Sequence, residues 1–171
     1  MRKRIGFLPL GIWIVVLLLA SIAGAAEPNF PALSGRVVDE ANILSAAAEQ
    51  RLTGMLAAHE QATGEQVVVV TLPSLQGFPI EDFGYRLGRA WGIGEKGKNT
   101  GALLIIVPKE RQVRIEVGYG LEGRLTDAIS RAIIERDLLP AFRQGDFDRG
   151  VIAGTAALLG AWGVTLKTLS L

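Results

Sequence analysis

Residues 118–127 read Gly118-Tyr119-Gly120-Leu121-Glu122-Gly123-Arg124-Leu125-Thr126-Asp127, gathering glycines, two acids and a helix-capping threonine in one short stretch. It lies between an alternating strand pattern and an apolar helical pattern, the setting of a binding loop, where glycines admit close backbone approach and acids offer oxygen atoms. The stretch spells Gly-x-Gly-x-x-Gly, the turn of a dinucleotide site. That fingerprint also needs a second parallel strand after the helix, bearing an acid for the ribose. Here the helical pattern runs instead into Leu138-Leu139-Pro140 and then another helical segment. No nucleotide is expected.

Other constellations narrow the chemistry further. Gly92-Ile93-Gly94-Glu95-Lys96-Gly97-Lys98-Asn99 fits two phosphate-loop patterns, but it follows a helix and feeds a strand, the reverse of what a phosphate loop requires. Asn99 also stands where a Ser or Thr would meet magnesium, so the segment reads as a loop bordering a site. His59, the one histidine, falls on an apolar helical stripe and reads as a core residue rather than a catalytic base. Arg114, Arg124 and Arg131 read as solvated surface arginines. Cysteine is absent, which removes thiol catalysis, zinc-thiolate sites and disulfides. What remains is oxygen-ligand chemistry of the kind calcium uses, with carboxylates, amide oxygens, backbone carbonyls and water.

The elements that must position these groups follow from periodicity. Leu52, Met55, Leu56 and His59 recur at helical spacing after a Ser45 cap, and Thr63-Gly64 ends that helix. Val67 to Val70 are consecutive and β-branched, which predicts a strand covered on both faces. Ile80, Phe83, Leu87 and Trp91 mark a second helix, with Gly84 and Gly88 admitting a close neighbour. Residues 101–107 form a second buried strand, and Val113, Ile115 and Val117 alternate with Arg114 and Glu116 in a third with one wet face. The turn at 108–111 makes this pair antiparallel. Thr126 caps a third helix that Pro140 closes, and Asp146 caps a last helix running to about Lys167. The expectation is one α/β domain, three-layer-like, with a mixed sheet of about four strands covered by helices.

At the N-terminus Arg2-Lys3-Arg4, an uncharged apolar run over residues 5–22 and the small residues Ala23-Gly24-Ala25-Ala26 form a secretory signal over residues 1–26, with an uncleaved anchor as the alternative. Residues 27–34 read as a linker and 35–167 as the domain. The protein is expected to be exported, to the periplasm or the outer face of the cytoplasmic membrane. Losing the signal changes 18 Lys and Arg against 17 Asp and Glu into 15 against 17. This slightly acidic remainder has no basic excess for nucleic acid. The last helix, uncharged from Gly150 through Leu166, is short for a span and reads as buried or interfacial.

With Gly35-Arg36-Val37-Val38-Asp39 upstream and Gly145-Asp146-Phe147 downstream, the 118–127 loop resembles the TPM domain family. Its members include thylakoid-lumen proteins linked to photosystem II repair, bacterial envelope proteins and animal receptor-associated membrane proteins, some described as acid phosphatases and some as calcium binders. The resemblance implies the fold read above, and Asp39, Glu122 and Asp127 are the acids matching the family's motifs. They are expected to meet at one end of the sheet as a divalent-cation site, calcium before magnesium, with an amide oxygen from Asn99 and with Gly118, Gly120 and Gly123 shaping the loop. The functional expectation is a calcium-binding envelope module that assists a membrane-protein partner in maintenance or repair. One alternative is a metal-assisted acid phosphatase in which Asp39 or Asp127 relays a proton to a phosphomonoester substrate. A metal-free interaction domain is the other.

Overall fold

The computed structural model describes residues 27–94 and 97–167, with the backbone alone from 162 onward. The expected signal, residues 1–26, lies outside these. Four strands, β1 (Val37–Asp39), β2 (Gln66–Thr71), β3 (Gly101–Val107) and β4 (Gln112–Val117), form one sheet in the order β1-β2-β3-β4. The first three run parallel and β4 is antiparallel to β3. A tight turn at Pro108–Glu110 makes the reversal, with Arg111 in the left-handed region at φ 54°. This is the mixed sheet expected from the sequence.

Alternate residues of β2 and β3 face opposite layers, and both layers are dry. Val67, Val69, Leu104 and Ile106 pack with Leu52 and Leu56 of α1 (Ala46–Thr63) and with Val151 and Leu158 of the last helix. Val68, Val70, Leu103 and Ile105 pack with Ile80, Phe83 and Leu87 of α2 (Ile80–Trp91). The unbroken apolar runs in these strands are thus a requirement of two-sided burial. Both parallel crossovers step the same way across the sheet while their helices lie on opposite faces. One of the two therefore has the uncommon left hand.

Gly84 lets α2 sit close to the sheet, since a Cβ there would come within 2.8 Å of the Ile105 Cδ1. Arg114 and Glu116, expected on a wet face, lie half-buried on the α2 side and pair with each other at 2.6 Å. After α3 (Asp127–Ile133) the chain continues through a π turn, Ile134–Leu138, into the short α4, Leu139–Phe142. Pro140 therefore does not close the helix, because the π turn absorbs its missing N–H and ring bulk.

Two helix starts are tied together. Ser45 caps α1 by accepting from the Ala48 N–H at 3.2 Å, while its own N–H and hydroxyl donate to Asp148 at 2.9 and 2.6 Å. Asp148 lies in the first turn of α5 (Phe147–Lys167), whose own cap is Asp146, accepting from the Arg149 N–H at 3.1 Å. No helix of the described residues is long and apolar enough to cross a membrane.

Residues 28–31, expected as linker, are docked on α2. Pro28 is buried, Phe30 meets the edge of Phe83 with ring centroids 5.2 Å apart, and the Trp91 Nε1–H donates to the Pro31 carbonyl at 2.9 Å. The Gln76 side chain pairs with both backbone groups of Asn29, at 2.8 and 2.7 Å. Phe30→Ala is expected to lower the unfolding free energy by about 2 kcal/mol, below the ~3–5 of a fully buried phenylalanine. Urea denaturation measures this, and an unchanged midpoint would return the segment to the status of a linker.

Candidate functional site

The glycine loop is built by close backbone contact. The Gly118 N–H donates to the Gly101 carbonyl at 2.8 Å and the Gly120 N–H to the Asn99 carbonyl at 3.3 Å, so the loop lies directly on residues 98–101. A side chain on Gly118 would collide with the Asn99 carbonyl oxygen, and one on Gly120 with that of Lys98. A Cβ on Gly123 would meet open space. Two of the three glycines are thus there for packing, which the sequence reading had credited to ligand approach. Leu121 and Leu125 anchor the loop from within, both fully buried in the α1 side of the core. Thr126 closes it by capping α3, accepting from the Ile129 N–H at 3.3 Å.

A buried charge cluster fastens the same loop to the end of α1. Arg124 donates to Glu65, which follows the left-handed Gly64 cap and is only 6% exposed. The second oxygen of Glu65 lies 3.5 Å from the His59 Nε2. Burial lowers the His59 pKa below the ordinary 6.5; Glu65 opposes this and Arg124 adds to it. His59 is thus a half-buried core residue, as its helical stripe implied. The roles of Glu65 and Arg124 were missed by sequence reasoning. A usable signal was present, since Glu65 is an acid set between a helix stop and a strand with no wet face, where an unpaired charge is costly.

The expected cation ligands do not come together. Asp39 ends β1, level with Thr71 and Ile106, whereas β4 runs the other way and delivers Gly118 beside Gly101. These positions lie about 17 Å apart along β3, at ~3.3 Å per residue. The expectation that Asp39 meets Glu122 and Asp127 at one end is corrected by that reversal. Asp39 is also occupied, accepting from the Ile43 and Leu44 N–H groups at 3.2 and 2.9 Å and from the Thr71 hydroxyl. Its carboxylate holds the turn between β1 and α1.

Glu122, Asp127 and Asn99 do share the loop end, and all are exposed. Asn99 adopts a left-handed φ of 50° beneath Gly120. Glu122 and Asp127 have no hydrogen bond or ion pair among the described residues, and no group of three or more His, Asp or Glu is placed there to hold a metal ion. Two free carboxylates do not form a preformed calcium cage of six to eight oxygens. On the same loop stands Tyr119, 80% exposed, the most exposed large hydrophobic side chain among the described residues.

Comparison with known proteins gives a consistent picture. Residues 37–161 match the TPM domain. The solution structure of the N-terminal domain of a P. gingivalis protein is 40% identical and superposes with a TM-score of 0.72, over 77% of this chain and 84% of that one. The N-terminal domain of the cg2496 protein from Corynebacterium glutamicum is 20% identical, with a TM-score of 0.59 over 80% of this chain and 84% of that one. The BA42 protein from Bizionia argentinensis is 17% identical, with a TM-score of 0.59 over 69% of this chain and 80% of that one. The last two speak for the fold alone. No curated protein matches significantly.

The loop's architecture predicts a contrast among its glycines. Gly118→Ala and Gly120→Ala should each cost about 1–3 kcal/mol through overpacking, while Gly123→Ala should stay within about 0.5 kcal/mol of the parent. Thermal or urea unfolding of the three variants reads this directly. Equal effects at all three positions would contradict the packing account.

Proposed function

The chain belongs to the TPM domain family, and on that premise we propose that it is an exported envelope module that docks a membrane-protein partner through the 118–127 loop and assists its maintenance or repair. The observation carrying this reading is a loop fixed by buried leucines, backbone contact and the Arg124–Glu65 pair, which still leaves Tyr119 in water. A rigid loop on a rigid scaffold loses little entropy on binding. Tyrosine combines a large apolar face with a polar tip, and such residues dominate binding energy at interfaces.

A divalent cation belongs to this proposal in a reduced form. Glu122 and Asp127, with the Asn99 amide oxygen, would hold calcium with water completing the shell, and Asp39 leaves the ligand set. Such a site is weak, with a dissociation constant on the order of a millimolar, in the range of extracellular modules. The phosphatase alternative gains nothing from the geometry, because Asp39 is committed to the β1–α1 turn and stands at the opposite end from Asp127.

Calcium and magnesium titrations of the full chain, read by amide NMR shifts, test the cation. Saturable shifts at Asn99, Glu122 and Asp127 that vanish in Asp127→Asn are expected, and their absence at millimolar ion would remove the cation from the account. Tyr119→Ser tests docking. Its stability should stay within about 0.5 kcal/mol of the parent, while its association with native membranes weakens. A variant that associates as well as the parent would remove Tyr119 from the docking surface.

A further inference from the structure

The two edges of the sheet are unequal. β1 is three residues long, whereas β4 at the other edge has six, with no proline and no break in its register with β3. An edge of that length offers a row of N–H and C=O groups to another strand. Hydrogen-bond phase shows which groups are on offer. The Ile106 carbonyl faces away from β4, accepting from the Leu72 N–H at 2.8 Å, while the Gly118 N–H reaches the Gly101 carbonyl at 2.8 Å. Alternation along the antiparallel ladder therefore turns the backbone of Gln112, Arg114 and Glu116 toward β3, and that of Val113, Ile115 and Val117 outward. None of these outward groups has a hydrogen-bond partner among the described residues. The loop that follows turns back over residues 98–101, away from the edge, and Gly84 seats α2 between Ile105 and Glu116, behind it.

We propose that β4 pairs antiparallel with β4 of a second copy of this chain, about a two-fold axis at Ile115, joining two four-stranded sheets into one.

The stretch Val113-Arg114-Ile115-Glu116-Val117 is complementary to its own reverse. Paired about Ile115, it sets Val113 opposite Val117 of the second copy, Ile115 opposite Ile115, and Arg114 opposite Glu116. All three outward positions then become hydrogen-bonded pairs, and Arg114 and Glu116 fall at the intervening positions, where side chains stand closest. A shift of the second strand by one residue loses the hydrogen-bond phase. The next registers in phase set Arg114 against Arg114 or Glu116 against Glu116. Within one copy these two side chains already pair at 2.6 Å, so the proposed register closes a ring of four alternating charges. A strand without the matching charges would leave this half-buried pair facing apolar or like-charged groups, which selects a second copy over an arbitrary peptide.

A single strand pair falls below the ~1,200 Å² of a standard interface, so the dimer is weak and depends on concentration. It sets the two Gly118 positions about 20 Å apart, at ~3.4 Å per residue along the paired strands. On the docking reading, and only on it, this gives one dimer two loops for one membrane partner.

Sedimentation of the full chain over a concentration series tests the pairing with no partner present. The wild type should associate reversibly. Arg114→Glu and Glu116→Arg should each weaken association at least about tenfold, because both cross-strand pairs become like-charged. An equal mixture of the two variants should restore it, since every position 114 then meets the opposite charge at 116. A wild type that stays monomeric to millimolar concentration would overturn the proposal. So would association indifferent to both variants, as contact through the apolar N-terminal run would be, or a mixture no better than its components. If either variant does not fold, hydrogen exchange of the wild type serves instead. Protection of the Val113, Ile115 and Val117 amides must rise with concentration, and rates independent of concentration overturn the pairing. A monomer whose membrane association still needs Tyr119 would sink the pairing alone, and a dimer indifferent to Tyr119→Ser would sink the docking reading alone.

Discussion

The backbone contact of Gly118 and Gly120 with residues 98–101 is the constraint on which the loop end of this molecule depends. Because these two positions lack side chains, β4 can end directly beside the start of β3. The chain then turns within a few residues, buries Leu121 and Leu125, and brings Arg124 to Glu65. A β-carbon at either glycine would push the loop away from β3, and the two leucines and the ion pair would lose their partners together. Cooperative dependence of this kind lets a surface loop be rigid without a metal or a disulfide.

That rigidity separates the two ends of the sheet by task. At the Asp39 end, carboxylates meet backbone and hydroxyl donors: Asp39 holds the turn into α1, and Asp148 joins the starts of α1 and α5. At the loop end, Glu122 and Asp127 face water beside an exposed tyrosine. The first arrangement holds elements together. The second leaves chemistry available to something outside the chain, which is why the functional reading attaches there.

Much of the fold was legible in the sequence, because each layer leaves a local pattern. Four consecutive valines reported a strand with two dry faces, the Pro108 turn reported the antiparallel pair, and Ser45, Thr126 and Asp146 reported helix starts. The packing of residues 28–31 and the π turn before Pro140 were not legible, since both depend on partners distant in the chain. The site was half legible. The loop and its exposed acids could be found from composition, but placing Asp39 with them required knowing where β4 ends. The glycines misled for a physical reason: a glycine needed for backbone packing and one needed for ligand approach look identical in sequence.

Site-specific photocrosslinking in the native envelope tests most directly whether the loop end is the working face. A photoreactive residue would be placed at Tyr119 in one chain and at Asn42, also exposed but at the Asp39 end, in another. The account predicts one discrete membrane-protein adduct from position 119 and none from position 42. Adducts from position 42 with none from position 119 would contradict it, and would move the function to the opposite end of the sheet.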